Sequence, residues 1–205
     1  MKIFLSMILL LLFSFTARTQ LRPELTPFAG YQYGGKHDLS EGEINISSAP
    51  DYGIIISFPV KETPGLRAEI HYSRQETELH YQENSFEPMT KLFSMASNYF
   101  LAGGAYEEDL GTFTPIGLLA VGVAYLDPQD PGYVSEWFFA ATLGFGFKTY
   151  FSERVGLRVQ GRLLAPIQIS DGTVWCTSGS GCYIELTAGT IILQADVTAG
   201  LVIVL

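Results

Sequence analysis

From Leu66 to Ser73 the chain alternates strictly: Leu66, Ala68, Ile70 and Tyr72 are apolar, and Arg67, Glu69, His71 and Ser73 between them are polar. A side-chain period of two belongs to an extended strand with two unlike faces. The same rhythm runs from Val155, where Leu157, Val159, Gly161, Leu163 and Ala165 face away from Arg158, Gln160 and Arg162. It returns near the C-terminus, where Ala195, Val197, Ala199, Leu201 and Ile203 alternate with Gln194, Asp196, Thr198 and Gly200. In Trp137 to Phe147 the bulky set is Trp137, Phe139, Leu143, Phe145 and Phe147, opposite Ala140, Thr142, Gly144 and Gly146. The longest apolar runs, Ile116 to Leu126, Trp137 to Phe147 and Ile191 to Leu205, are too short for helices that cross a bilayer.

Turn residues divide the chain into eight expected strands: Leu25 to Gly34, Tyr52 to Val60, Leu66 to Tyr81, Leu92 to Gly103, Thr112 to Leu126, Ser135 to Tyr150, Arg154 to Ile169 and Ile184 to Leu205. Short connections (Lys61 to Gly65, Gly104 to Gly111, Phe151 to Glu153) alternate with longer ones (Gly35 to Asp51, Gln82 to Lys91, Asp127 to Val134, Ser170 to Tyr183). Transmembrane barrels show this asymmetry, with short turns on the periplasmic side and longer loops outside. Large apolar residues on one face, with Gly, Thr and charge on the other, suit a wall that meets lipid. The expected fold is therefore all-β, a closed antiparallel eight-stranded transmembrane β-barrel. A secreted lipocalin-like barrel would have the same strand number with its faces reversed.

Composition narrows the class. The chain has 205 residues, 47% of them hydrophobic and 16% charged, and a formal charge of −9. Its mean hydropathy is +0.21. An acidic chain lacks the clustered positive charge that phosphate contacts require, so nucleic acid is excluded as a partner. Met1-Lys2, the apolar stretch Ile3 to Phe15 and the small residues of Ala17-Arg18-Thr19 read as a signal peptide over 1–19, which leaves one domain over 20–205. The two cysteines, Cys176 and Cys182, bracket Thr-Ser-Gly-Ser-Gly; in an exported chain they are expected to form a disulfide closing a small loop.

The segments Phe28 to Gly35 (FAGYQYGG), Asp51-Tyr-Gly53, Glu69 to Arg74 (EIHYSR), Phe113 to Gly117 (FTPIG) and the Cys176 to Cys182 loop carry a resemblance. The mature chain resembles the small eight-stranded outer-membrane barrels of the OmpA/OmpX type, particularly the versions found in Bacteroidota-like bacteria. That resemblance implies a place in the cell outer membrane, contact with outer-membrane lipid, and handling by periplasmic chaperones and the barrel-assembly machinery during biogenesis. It implies no cofactor.

On the inward parity lie Arg67, Glu69, Lys148, Arg158, Arg162 and Asp196, expected to form a lumen charge network because a confined interior penalises isolated ions. Eight strands leave room only for side chains to fill, so no open pore is expected. Asp196 is expected near the level of Arg162. Tyr31, Tyr33, Tyr72, Tyr99, Tyr125 and Trp137 are expected to form an aromatic girdle at the membrane interface. Glu41, Glu43, Glu76, Glu78 and His80 read as a solvated rim, Arg74 as an interfacial cation, and no spacing matches a metal loop. Catalysis by Ser and His, as in a lipid-modifying enzyme, needs the two within hydrogen-bond reach. Symmetric pairing of the third and fourth strands would set Ser97 opposite Arg74, roughly 20 Å from His80. His71 points to the lumen, and His37 lies in a loop. The sequence therefore reads as a non-enzymatic envelope barrel with loops that bind surface partners.

Overall fold

The computed structural model describes residues 22–39, 42–82, 90–111, 113–130, 135–177, 181–191 and 193–205, with backbone alone at 36–39, 42–44, 82, 168–177 and 181–191. The expected signal peptide and Glu41 lie outside the described residues. Eleven strands form one sheet: β1 Glu24–Tyr33, β2 Lys36–Leu39, β3 Gly42–Ile46, β4 Ala49–Pro59, β5 Leu66–Gln82, β6 Thr90–Glu107, β7 Thr114–Pro128, β8 Glu136–Tyr150, β9 Val155–Thr177, β10 Gly181–Ile191 and β11 Gln194–Val204. Eight of them close on themselves in the order β1, β4, β5, β6, β7, β8, β9, β11 and back to β1, each antiparallel to its neighbours. The chain is a closed all-β barrel of eight strands. The other three strands extend it at one end: β2 and β3 form a hairpin whose β3 pairs with the upper part of β5, and β10 pairs with β9 beyond the wall.

Several expected boundaries move, and the expected connection Gly35 to Asp51 holds β2, β3 and the start of β4. The segment Ile184 to Leu205 is two strands, β10 and β11, because β9 runs on to Thr177 and folds back before the chain re-enters the barrel. Gly103 and Gly104 are not a turn; β6 continues through them to Glu107. A side chain at Gly103 would lie 2.1 Å from the Leu119 carbonyl oxygen, so this glycine permits close strand contact. A true turn glycine is Gly65. In Thr63-Pro-Gly-Leu66 the Leu66 N–H donates to Thr63 O (3.0 Å) and Gly65 has φ +86°, the type II turn that Pro followed by Gly favours.

The faces are now assigned. Ile70, Leu119, Leu143, Phe145 and Val197 are each more than half exposed, on the outside of the wall. Arg67, Glu69, Lys148, Arg158, Arg162 and Asp196 are buried inside it. A soluble barrel would have the opposite arrangement, and an aliphatic band of this kind is stable only against lipid. Among the described residues no helix is long and apolar enough to cross a membrane.

Aromatic residues gather at both ends of the band. At the end that carries the hairpins, Tyr31 meets Tyr33 edge to face (5.4 Å between centroids) and Tyr125 lies against Trp137 (4.6 Å), with Tyr52 and Tyr72 beside them. At the short-turn end Phe113 stacks on Phe147 (5.0 Å) and Tyr106 is exposed. Tyr99 is a correction to the expected girdle. It is 1% exposed, inside the barrel. Tyr99, Phe100 and Leu101 are all bulky, which hides the phase of β6; Phe100 is the outward member and packs on Tyr72 at 5.0 Å.

Candidate functional site: the barrel interior

The inward groups of β9 follow one another from the short-turn end outward as Arg158, Gln160, Arg162 and Leu164, above a lowest layer built by other strands. In the lowest layer Lys148 donates to Glu24 Oε2 (2.6 Å) and to Glu107, while Arg67 lies 3.1 Å from Glu24 and 3.5 Å from Glu107 and donates to Ser57 Oγ (2.7 Å). Tyr150 OH donates to Glu24 Oε1 (3.0 Å). Two cations and two carboxylates thus share one cluster. Glu24 and Glu107 were absent from the expected network because each stands near a strand end, where turn and lumen positions cannot be told apart by alternation.

In the next layer Arg158 forks onto Glu69, with Nη1 to Oε1 at 2.6 Å and Nη2 to Oε2 at 3.0 Å, and its Nε donates to Gln160 Oε1 (2.7 Å). A bidentate guanidinium–carboxylate pair is among the stronger polar contacts available to a protein. His71 completes this layer. Its Nδ1 faces Arg162 Nη1 (3.5 Å), which can only donate, so Nδ1 accepts and Nε2–H donates to Glu69 Oε2 at 2.9 Å.

Above it Arg162 is bound by Asp196 through Nε (3.1 and 3.0 Å) and Nη2 (2.5 Å), and lies 3.8 Å from Asp51. Asp196 and Arg162 are direct cross-strand partners in β11 and β9. The Arg162 guanidinium also lies over the Phe28 ring, 5.1 Å from its centroid, a cation–π contact. Phe28 fits there because its partners on both sides are glycines, Gly53 of β4 and Gly200 of β11. A Cβ at Gly53 would come within 2.6 Å of the ring. Near the hairpin end Tyr99 OH and Gln32 Nε2 both donate to Gln194 Oε1 (2.5 and 3.0 Å). Here the interior turns apolar on one side, where Tyr99, Leu101, Ala120, Ala124, Ala140 and Leu164 pack together. The uniformly apolar run Ile116 to Leu126 supplies both faces of β7, which is why alternation is weak there.

The position of each partner around the barrel matters more than the distances. Of the eight wall strands, β5 and β9 stand diametrically opposite, as do β6 and β11. Arg158–Glu69 and Tyr99–Gln194 therefore span the lumen at two levels, and Lys148 of β8 reaches Glu24 of β1, three strands away.

The outer rim is arranged differently. Arg74 donates to Glu76 Oε1 and Asn98 Oδ1. Above the aromatic belt Lys91 lies 2.5 Å from Glu78 and holds its carboxyl below the usual carboxylate range. Ser97 lies opposite Gln75, not Arg74, a slip of one residue from symmetric pairing that places both in the lumen. His80 instead meets Ser47, with Oγ 3.1 Å from Nδ1. His37 and Glu43 lie on β2 and β3, beyond the described side chains. Cys176 and Cys182 are cross-strand partners in the β9–β10 hairpin, also beyond them. Among the described residues no group of three His, Cys, Asp or Glu is arranged to hold a metal ion.

The wall, its order and its faces can be compared with known structures. Neisserial surface protein A superimposes with a TM-score of 0.57 at 14% identity, covering 88% of this chain and 96% of that one. The chain has the fold of a small outer-membrane barrel. OprG of Pseudomonas aeruginosa, an outer membrane protein, agrees with a TM-score of 0.51 at 11% identity, covering 90% of this chain and 94% of that one. No model of a protein family matches the sequence, and no curated protein matches it either.

Proposed function

We propose that this protein is an integral outer-membrane barrel whose lumen is closed to solutes and whose outer hairpins present a binding surface to other molecules of the cell surface. The observation that carries the closed lumen is the Arg158–Glu69 fork joining opposite walls, with His71 beside it and the buried Lys148 and Arg67 cluster in the layer below. A solute would have to break a buried ion pair to pass, and leaving either ion unpaired is costly. The hairpin β2–β3 and the extension of β9 with β10 support the second half of the reading, because they continue the sheet beyond the Tyr31 and Trp137 belt. On this reading the protein meets lipid through its aliphatic band and reaches the membrane through periplasmic chaperones and the barrel-assembly machinery.

Purified protein in a planar bilayer tests the closed lumen. Rare, small conductance events are expected; stable large channels in every preparation would overturn it.

One contact favours a catalytic alternative, the Ser47 and His80 pair. Among the described residues no carboxylate is hydrogen-bonded to His80 to complete a hydrolytic site. Glu78 is 3.7 Å from His80 Nε2, beyond hydrogen bonding, and is held by Lys91. The pair therefore fastens the β3–β4 connection to β5, and Ser47→Ala is expected to leave any ester hydrolysis by the preparation unchanged.

A further inference from the structure

The lumen charges do not cancel. Among the described residues four inward cations (Arg67, Lys148, Arg158, Arg162) face five inward carboxylates (Glu24, Asp51, Glu69, Glu107, Asp196), and His71, which accepts from Arg162, adds no charge. The excess resides at Asp51. Each of the other four carboxylates has a cation within 3.1 Å or closer. Asp51 is 1% exposed; among the described residues its nearest cation is Arg162 at 3.8 Å, already forked onto Asp196, and neither of its oxygens has a hydrogen-bond donor from any other residue.

The groups around Asp51 share this condition. Gln75 is its cross-strand partner on β5 and spends its amide N–H groups on the carbonyls of Gln32 (3.1 Å) and Ala49 (3.4 Å), so Oε1 is without a partner. Gln32, paired with Asp196 across β1 and β11, donates to Gln194, and its Oε1 is likewise without a partner. Ser97 is the cross-strand partner of Gln75, and its Oγ completes the arc. Gln32, Gln75 and Ser97 are each at most 1% exposed. Four contiguous strands, β1, β4, β5 and β6, thus turn side-chain oxygens without a partner into one side of a narrow lumen, and on β11 beside them the one group without a partner is a single donor, Gln194 Nε2. Buried acceptors in such number call for a donor or a cation.

The geometry points to a binding site for a monovalent alkali cation in the lumen, liganded by Asp51 with the side-chain oxygens of Gln32 and Gln75. Carboxylate and amide oxygens without nitrogen or sulfur suit a hard ion. The charge selects its valence: one positive charge brings the lumen to neutrality, whereas a divalent ion would leave an excess of the opposite sign. The site does not depend on whether the lumen conducts, so a channel recording that overturned the closed-lumen reading would leave it standing.

The test uses the full-length protein refolded in detergent, with the folded band followed through thermal unfolding in NaCl, KCl or choline chloride at equal ionic strength and one mildly alkaline pH. Unfolding is expected to be about tenfold slower in sodium or potassium than in choline, as linkage to a bound ion requires. Asp51→Asn, which keeps the shape and removes the charge, is expected to abolish the difference. Equal rates in the three salts, or a difference that survives in Asp51→Asn, would overturn the site. Crystals of the unaltered protein soaked in rubidium or thallium salts give a reading independent of how the variant folds. An anomalous peak between Asp51 and Gln75 is expected, and its absence there would overturn the assignment.

Discussion

Arg158 of β9 grips Glu69 of β5 with two hydrogen bonds, from strands that stand on opposite sides of the barrel. Both side chains are nearly inaccessible to solvent, at 1%. Glu69→Leu strands a buried guanidinium and is expected to cost about 3–5 kcal/mol. Replacing both residues by Leu removes the unpaired ion and should recover part of that loss. Thermal conversion of the folded to the unfolded band, compared across the four members of the cycle, measures it; strict additivity would show that the two do not act as a pair.

Arg162 serves two carboxylates unequally. Asp196 holds it in hydrogen-bond contact and Asp51 stands 3.8 Å away. Asp196→Leu leaves Asp51 free to take over the guanidinium, whereas Arg162→Leu leaves two buried carboxylates without a cation. Arg162→Leu is therefore expected to destabilise the barrel by at least about 1 kcal/mol more than Asp196→Leu, and the double variant should be milder than the sum. The same unfolding assay decides it.

The lipid face should show a depth profile. Leu143 sits at the middle of β8, while Trp137 lies in the outer aromatic belt. Leu143→Arg is expected to cost about 2–4 kcal/mol on folding into vesicles, and the charge introduced by Trp137→Arg only about 0–1 kcal/mol. Equal costs at the two depths would contradict a lipid-facing wall.

Cys176 and Cys182 are directly opposite one another in the β9–β10 hairpin. Cross-strand partners stand about 4.5–5.5 Å apart at Cα, within the span a disulfide bridges. We expect thiol reagents to label intact cells only after reduction, and Cys176→Ser to leave the barrel's unfolding temperature nearly unchanged, because the hairpin extends beyond the closed wall. Full labelling without a reductant would show the bridge to be absent.

Much of this molecule could be read from residue order alone. Alternation is a local property, so the strands, the two faces of β5, β8, β9 and β11, and the inward parity of Arg67, Glu69, Lys148, Arg158, Arg162 and Asp196 follow from neighbours along the chain. Facing is also local once Gly and charge share a side. The phase failed only where both faces are apolar, at Tyr99 to Leu101 and along β7. Tertiary structure decided the rest. Whether Glu69 meets Arg158 or Lys148 depends on closure and shear, which sum the register of all eight strands. One residue of slip moved Ser97 from beside Arg74 to beside Gln75. Asp51 shows the limit most clearly. Nothing in Asp-Tyr-Gly marks it as the carboxylate without a close cation, because that is settled by Arg162, which forks onto Asp196 from a strand three places away around the barrel.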